Sequence, residues 1–236
     1  MGSLIVLCIY TKAKIDKEKY GLKPVYDGQL LIKVLNLSVW SMLHAFISVA
    51  PWFLFFVAIE HLGKTELAIS NITRSVSAIF FVIANSFAVT TSSLVSNAIG
   101  ARARNELFPI CHKVLKLGYA VGIPFVVVAL LCNRWIVSFY TDNELLIELA
   151  FAPFVVMLLN YTFALPGYVY LNAVGGTGKT KITFLFQVTT TCVYLVYLYW
   201  LSFCIKASLS LYLTAEYLFV ILLALQSIIH LKSKHY

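Results

Sequence analysis

Two groups of residues in this chain have types and spacings suited to chemistry. The first is the stretch A-V-G-G-T-G-K-T, Ala173 to Thr180. It fits the relaxed phosphate-loop pattern: Ala or Gly, four residues of any type, then Gly, Lys and Ser or Thr. Such a loop cradles phosphates on backbone N–H groups where a strand turns into a helix. The second group is a set of ionisable side chains within apolar runs: His44, Glu60, Arg74 and Glu216. Asn71, Asn85, Asn160, Tyr161 and Gln187 are polar residues in the same runs. Charge inside an apolar span is costly and marks ion paths, relays and ligand sites by default.

Glu60 ends the first apolar run, and Arg74 and Glu216 lie about two turns into the second and sixth, counted at about 1.5 Å per residue. All three fall at similar depth. A buried guanidinium wants a carboxylate partner, and Glu216 or Glu60 would supply it. Such a group is either a proton- or cation-sensitive gate or a fixed ion pair that clamps helices. His44, mid-span, has an unperturbed pKa of about 6.5, which suits a proton relay or a cation–π partner. The alternative is a neutral histidine hydrogen-bonded to another helix. Asn160 and Tyr161 either line a cavity for a flat cationic ligand or serve as interhelical hydrogen bonds.

The elements that position these residues follow from composition. Of 236 residues, 61% are hydrophobic and only 12% charged, against roughly 25% charged in soluble domains. Six apolar runs, at 34–60, 67–98, 114–140, 146–172, 182–204 and 209–231, each reach the roughly 20 residues that cross a hydrocarbon core. Each is expected to be helical, because lipid offers the backbone no hydrogen-bond partner. Pro124, Pro153 and Pro166 are expected to kink or start helices. The short run Leu4 to Tyr10 lacks the basic start and cleavage site of a signal peptide and reads as the remnant of a preceding helix.

The basic residues alternate between the gaps. Fourteen Lys and Arg fall in the first, third, fifth and last polar segments, three in the others, and Arg74 lies inside a span. The positive-inside rule then places both termini in the cytoplasm, and the membrane is expected to be the plasma (inner) membrane. The net charge of +8 is accounted for by these flanks, so nucleic acid is not expected as a partner. The five cysteines, Cys8, Cys111, Cys132, Cys192 and Cys204, are scattered without a C-x-x-C. They read as packing residues rather than metal ligands or disulfides. No Ser-His-Asp arrangement, HExxH or paired catalytic carboxylates occur, so neither an enzyme nor a cofactor is expected.

On this layout the G-G-T-G-K-T stretch joins two membrane helices, on the cytoplasmic side. A strand before it and a soluble nucleotide domain around it are both missing from the pattern. The expectation is a tight turn with no nucleotide, its glycines supplying positive φ and its lysines anchoring the membrane face.

G-G-T-G-K-T-K, between two spans, resembles the short loop of the multidrug and toxic compound extrusion (MATE) transporters, commonly G-x-G, Asp or Asn, Thr, Lys or Arg. Lys179 stands where that family usually has the acid or amide. E-H-L-G-K-T-E-L-A-I-S-N-I (Glu60 to Ile72) and S-S-L-V-S-N-A-I-G-A-R-A-R-N-E-L (Ser92 to Leu107) are similar to two further family turns. The resemblance implies an all-α polytopic membrane protein with six transmembrane helices forming one MATE-type lobe. Residues 1–33 would be a helix remnant and basic linker, 34–231 the lobe, and 232–236 a cytoplasmic tail.

By resemblance, the lobe would belong to a secondary antiporter exporting organic cations in exchange for Na⁺ or H⁺. Its partners would be membrane lipid and either a missing N-terminal lobe or a second copy of itself. Two alternatives are a non-transporting lobe that needs a separate N-terminal one, and a flippase for lipid-linked sugars. Some family branches carry coupling carboxylates where this chain has Ser48 and Ala164. Neither is acidic, so Glu216 and His44 become the substitutes.

Overall fold

The computed structural model describes residues 27–60, 62–205 and 208–233. The Leu4–Tyr10 run, Cys8, the linker lysines from Lys12 to Lys23, Lys206 and Lys234 lie outside them. The helices are α1 (Gly28–Glu60), α2 (Lys64–Gly100), α3 (Leu107–Leu131), the short α4 (Asn133–Ser138), α5 (Glu144–Leu159), α6 (Tyr161–Gly176), α7 (Thr180–Trp200) and α8 (Leu209–Ser233). No strand occurs among the described residues. Six helical segments are long and apolar enough to cross a membrane, with α5 and α6 forming one of them across Asn160.

The chain divides into two compact units, residues 1–36 and 37–236. In the first, Asp27 caps α1, its Oδ1 accepting the backbone N–H of Gln29 (3.0 Å) and Leu30 (3.1 Å). In the second, α6 is the central helix, packed on α2, α3, α7 and α8. Its buried face carries Leu165, Val169, Ala173 and Val174, all at zero exposure. Small residues let the backbones close up. A Cβ on Gly167 would meet the Val220 carbonyl of α8 at 2.7 Å, and one on Gly176 would meet the Ser92 carbonyl of α2 at 2.5 Å. Ser96 Oγ adds a bond to the Gly176 carbonyl at 2.8 Å. Helix α1 buries only Pro51, Phe55 and Ile59; Met42, Phe46 and Phe53 point outward.

The span boundaries differ from the sequence reading at one element. The third run was placed at 114–140, but α3 spans Leu107–Leu131 and a separate short helix follows. Lys113 and Lys116 are on the helix, exposed, where long stems carry their charges toward water. At the other end Asn133 Nδ2 donates to the Leu130 carbonyl (2.7 Å). An exposed Arg134–Glu144 pair at 3.0 Å then closes the turn toward α5. Likewise Lys33 lies on α1 rather than before it. Pro124, Pro153 and Pro166 sit inside α3, α5 and α6.

Candidate functional site

The interior of the unit 37–236 holds one buried ion pair. Arg74 Nη2 of α2 lies 2.5 Å from Glu216 Oε1 of α8, with the two side chains 3% and 9% exposed. The Arg134–Glu144 pair, by contrast, is exposed, whereas here charge has been taken out of solvent. The choice between two carboxylates left open by the sequence falls to Glu216. Glu60 is exposed at the end of α1 and takes no part in the pair. Depth along the helices made them look alike, but Glu60 sits on a face of α1 that the lobe does not cover.

Three rings of α1 surround the guanidinium. Its carbon lies 3.9 Å from the centre of Phe55, 4.7 Å from Trp52 and 5.3 Å from Phe56. Faces of this kind attract a cation by their quadrupole and more so when water is excluded. The spacing 52, 55, 56 puts all three on one side of the helix. Tyr194 of α7, fully buried, donates its hydroxyl to the same Glu216 oxygen at 3.3 Å. Arg74 Nε and Nη1 are buried without a hydrogen-bond partner. Three of the guanidinium's five N–H donors therefore have no acceptor, and the ring faces alone offset the charge on that side.

Glu216 also faces a cavity of about 390 Å³. His44, Asn85, Asn172 and Gln187 supply its polar wall, and Trp52, Tyr168 and Phe219 much of its aromatic wall. Those helices converge because α6 presents Tyr168 and Asn172 one turn apart. Asn172 Nδ2 donates back to the Tyr168 carbonyl at 2.9 Å. His44 Nε2 is buried without a hydrogen-bond partner. Ser48 lines this cavity and Ala164 a smaller neighbouring one of about 40 Å³ that Glu216 also reaches. The positions without acids thus share cavity walls with Glu216 of α8.

Asn160 and Tyr161 line the smaller cavity. Tyr161 is a packing residue as well: its hydroxyl donates to the Gly118 carbonyl of α3 at 2.8 Å, and its ring meets Phe80 edge-on. Asn160 Oδ1 is buried with no donor. Among the described residues Asn71 and Asn85 are exposed and Gln187 is buried. Tyr168 and Asn172 were not singled out from the sequence. Their signal was the i, i+4 spacing of Tyr168, Asn172 and Gly176 on a helix otherwise read as apolar.

The glycine-rich stretch is a turn between two helices. Gly176 ends α6 and Thr180 begins α7, and Gly178 takes φ +82°, a conformation in which other residues are strained. Thr177 Oγ1 donates to the Val174 carbonyl (2.7 Å), and Lys181 lies over the Trp40 ring at 5.2 Å. Among the described residues, Cys111, Cys132 and Cys192 are free thiols, and no cluster of three His, Cys, Asp or Glu gathers to hold a metal.

The family model MatE matches residues 41–201, more than half of the chain. A solved MATE structure in the bent conformation superposes with TM-score 0.74 at 18% identity, covering 84% of this chain and 44% of that one. A MATE structure in complex with MaL6 gives 0.73 at 17%, covering 89% and 49%. A MOP superfamily transporter from Pyrococcus furiosus, for which reversed polarity of the binding pocket suggests a different function, gives 0.69 at 18%, covering 83% and 43%. The chain therefore spans less than half the length of these structures. None of the curated proteins matches it in sequence.

Proposed function

Because the chain belongs to the MatE family, we propose that it forms the C-terminal lobe of a secondary transporter that exports organic cations in exchange for Na⁺ or H⁺. The observation that carries this reading is the cavity of about 390 Å³ reached by Glu216 and walled by Trp52, Tyr168 and Phe219. Aromatic faces and one carboxylate suit a flat cation: the rings attract its charge and the carboxylate fixes its position. His44, on the same wall, serves as a proton acceptor during exchange. Glu216 pairs with Arg74 when the cavity is empty and with the ligand's charge when it is filled, so ligand and Arg74 compete for one carboxylate. Transporters commonly carry substrate between two repeats that rock against each other, so the working unit includes an N-terminal lobe or a second copy of this chain.

A second reading has one observation in its favour. Arg74 Nε and Nη1 have no hydrogen-bond partner, and a protonated Glu216 would leave the guanidinium as the dominant charge. The ligand would then be an anion, as the reversed pocket polarity noted for the Pyrococcus furiosus transporter would suit. Efflux of a cationic and of an anionic fluorescent dye separates the two, measured in cells expressing the chain alone and together with an N-terminal lobe. Cationic efflux lost in Glu216→Gln supports the first reading. Anionic efflux, or cationic efflux untouched by that substitution, overturns it.

A further inference from the structure

Three chambers of the lobe share walls. One of about 170 Å³ lies beside the glycine-rich turn, against Ser41, Gly175 and Thr180. The second is the cavity of about 390 Å³, and the third the one of about 40 Å³ beside Asn160. His44, Leu171 and Asn172 line both the first and the second. Trp52, Phe81, Tyr168 and Glu216 line both the second and the third. The order repeats on separate helices. Helix α2 contributes Ser92, then Asn85, then Ser77, and the α5–α6 span contributes Gly175, then Tyr168, then Met157. From Gly175 to Met157 is about 27 Å at 1.5 Å per residue, close to the roughly 30 Å of a hydrocarbon core.

The far end is closed. Arg74, 3% exposed, lies one turn beyond Ser77 on α2, with Phe55 over its guanidinium and Tyr194 on its partner Glu216, both at zero exposure. Acid–base groups stand at both necks. His44 Nε2, buried without a partner, lies where the first chamber meets the second. Glu216 lies where the second meets the third. Its Oε1 accepts both Arg74 and Tyr194, which leaves the other oxygen for the chambers. Asn160 Oδ1, a buried acceptor without a donor, faces the third, whose volume exceeds the 10–15 Å³ or so a water needs.

We propose that the interior of this single lobe is a proton path from the glycine-rich turn to Glu216, with His44 as its relay and the Arg74–Glu216 pair as its plug. His44 Nε2 takes a proton from water in the first chamber and becomes an imidazolium. It passes that proton through water of the second chamber to the free oxygen of Glu216 and returns to neutral imidazole. Glu216, now a neutral acid, holds Arg74 more weakly, and the guanidinium keeps Trp52, Phe55 and Phe56. Among the described residues, His44 and Glu216 are the only basic and acidic side chains lining the chambers. The phenols of Tyr161 and Tyr168 face them too, and Arg74 and Tyr194 reach Glu216 from behind. A histidine at the neck selects a proton over Na⁺, because an imidazole nitrogen is a good proton base and a poor ligand for a hard alkali cation. The path stands on the chambers alone and does not require that the protein export drugs.

The test is proton flux into liposomes carrying the purified chain, a pH-sensitive dye inside and the voltage clamped. Arg74→Ala is expected to raise the flux several-fold over wild type. Adding His44→Phe to it returns the flux to that of protein-free liposomes, and a Na⁺ gradient drives no comparable current. A folded Arg74→Ala without extra flux, a flux that survives His44→Phe, or equal Na⁺ flux overturns the proposal. Carbodiimide labelling of Glu216 in the otherwise wild-type chain provides a reading that does not depend on Arg74 variants folding. Labelling requires a protonated carboxyl. It should rise as the pH falls on the side of the glycine-rich turn and drop in His44→Phe. Labelling indifferent to that pH or to His44 contradicts the path.

Discussion

Replacing Glu216 by Gln removes one charge and almost no volume, and leaves Arg74 buried among rings. Its cation–π contacts to Trp52, Phe55 and Phe56 exist in both forms, so they do not offset the loss. Breaking a buried pair from one side costs about 3–5 kcal/mol. At about 2–4 °C per kcal/mol for a chain of this size, Glu216→Gln lowers the unfolding temperature by about 6–20 °C. The two halves of the pair are unequal. A guanidinium cannot shed its proton, whereas a lone buried carboxyl can take one up. Arg74→Met is therefore the milder change. Arg74→Met with Glu216→Leu removes both charges and recovers most of the loss. Thermal unfolding in detergent, followed by a thiol-reactive dye, reads all four proteins. Cys111, at zero exposure, reports unfolding, and Cys192, exposed, gives the baseline. An unshifted Glu216→Gln, or a double variant as unstable as the two losses added, would refute this account of the pair.

Gly122→Ala forces a Cβ into the Tyr161 ring and should cost about 1–3 kcal/mol by overpacking; Tyr161→Leu in the same chain restores the unfolding temperature if that contact is the cause. Saturating ATP should leave the unfolding temperature unchanged, since a site filled to 100 times its Kd would add about 2.7 kcal/mol; a clear upward shift would revive the phosphate-loop reading of Gly175 to Thr180. Single cysteines at Asp142 and Ala101, both exposed, test the orientation. A membrane-impermeant thiol reagent should label the first in intact cells and the second only after permeabilisation, and the opposite pattern inverts the topology.

The membrane architecture was legible because lipid imposes a one-dimensional constraint. Six runs of sufficient length had to be helices, and five of them are placed within a turn or two. The exception, α3, was misplaced because Lys113 and Lys116 were counted as loop charge, although their stems allow them to ride on a helix. The glycine-rich turn was also legible: without a strand before it, Gly178 had only a turn to make. Arg74 and Glu216 stood out as costly residues at matching depth. That matching could not exclude Glu60, since depth along a helix is read from residue number but the face is decided by neighbours.

The chain by itself thus determined what crosses the membrane, how its charges alternate and which residues are too expensive to be there without a partner. Tertiary packing decided which partners they found. Only the convergence of α1, α2, α7 and α8 brings Trp52, Phe55 and Phe56, Arg74, Tyr194 and Glu216 into one cluster, and only the close approach of α6 to α2 and α8 lets Tyr168 and Asn172 complete the cavity wall. These residues are separated by up to 164 positions in the sequence. Hydropathy is a sum over neighbours along the chain, while an ion pair or a cavity is set by distances across it.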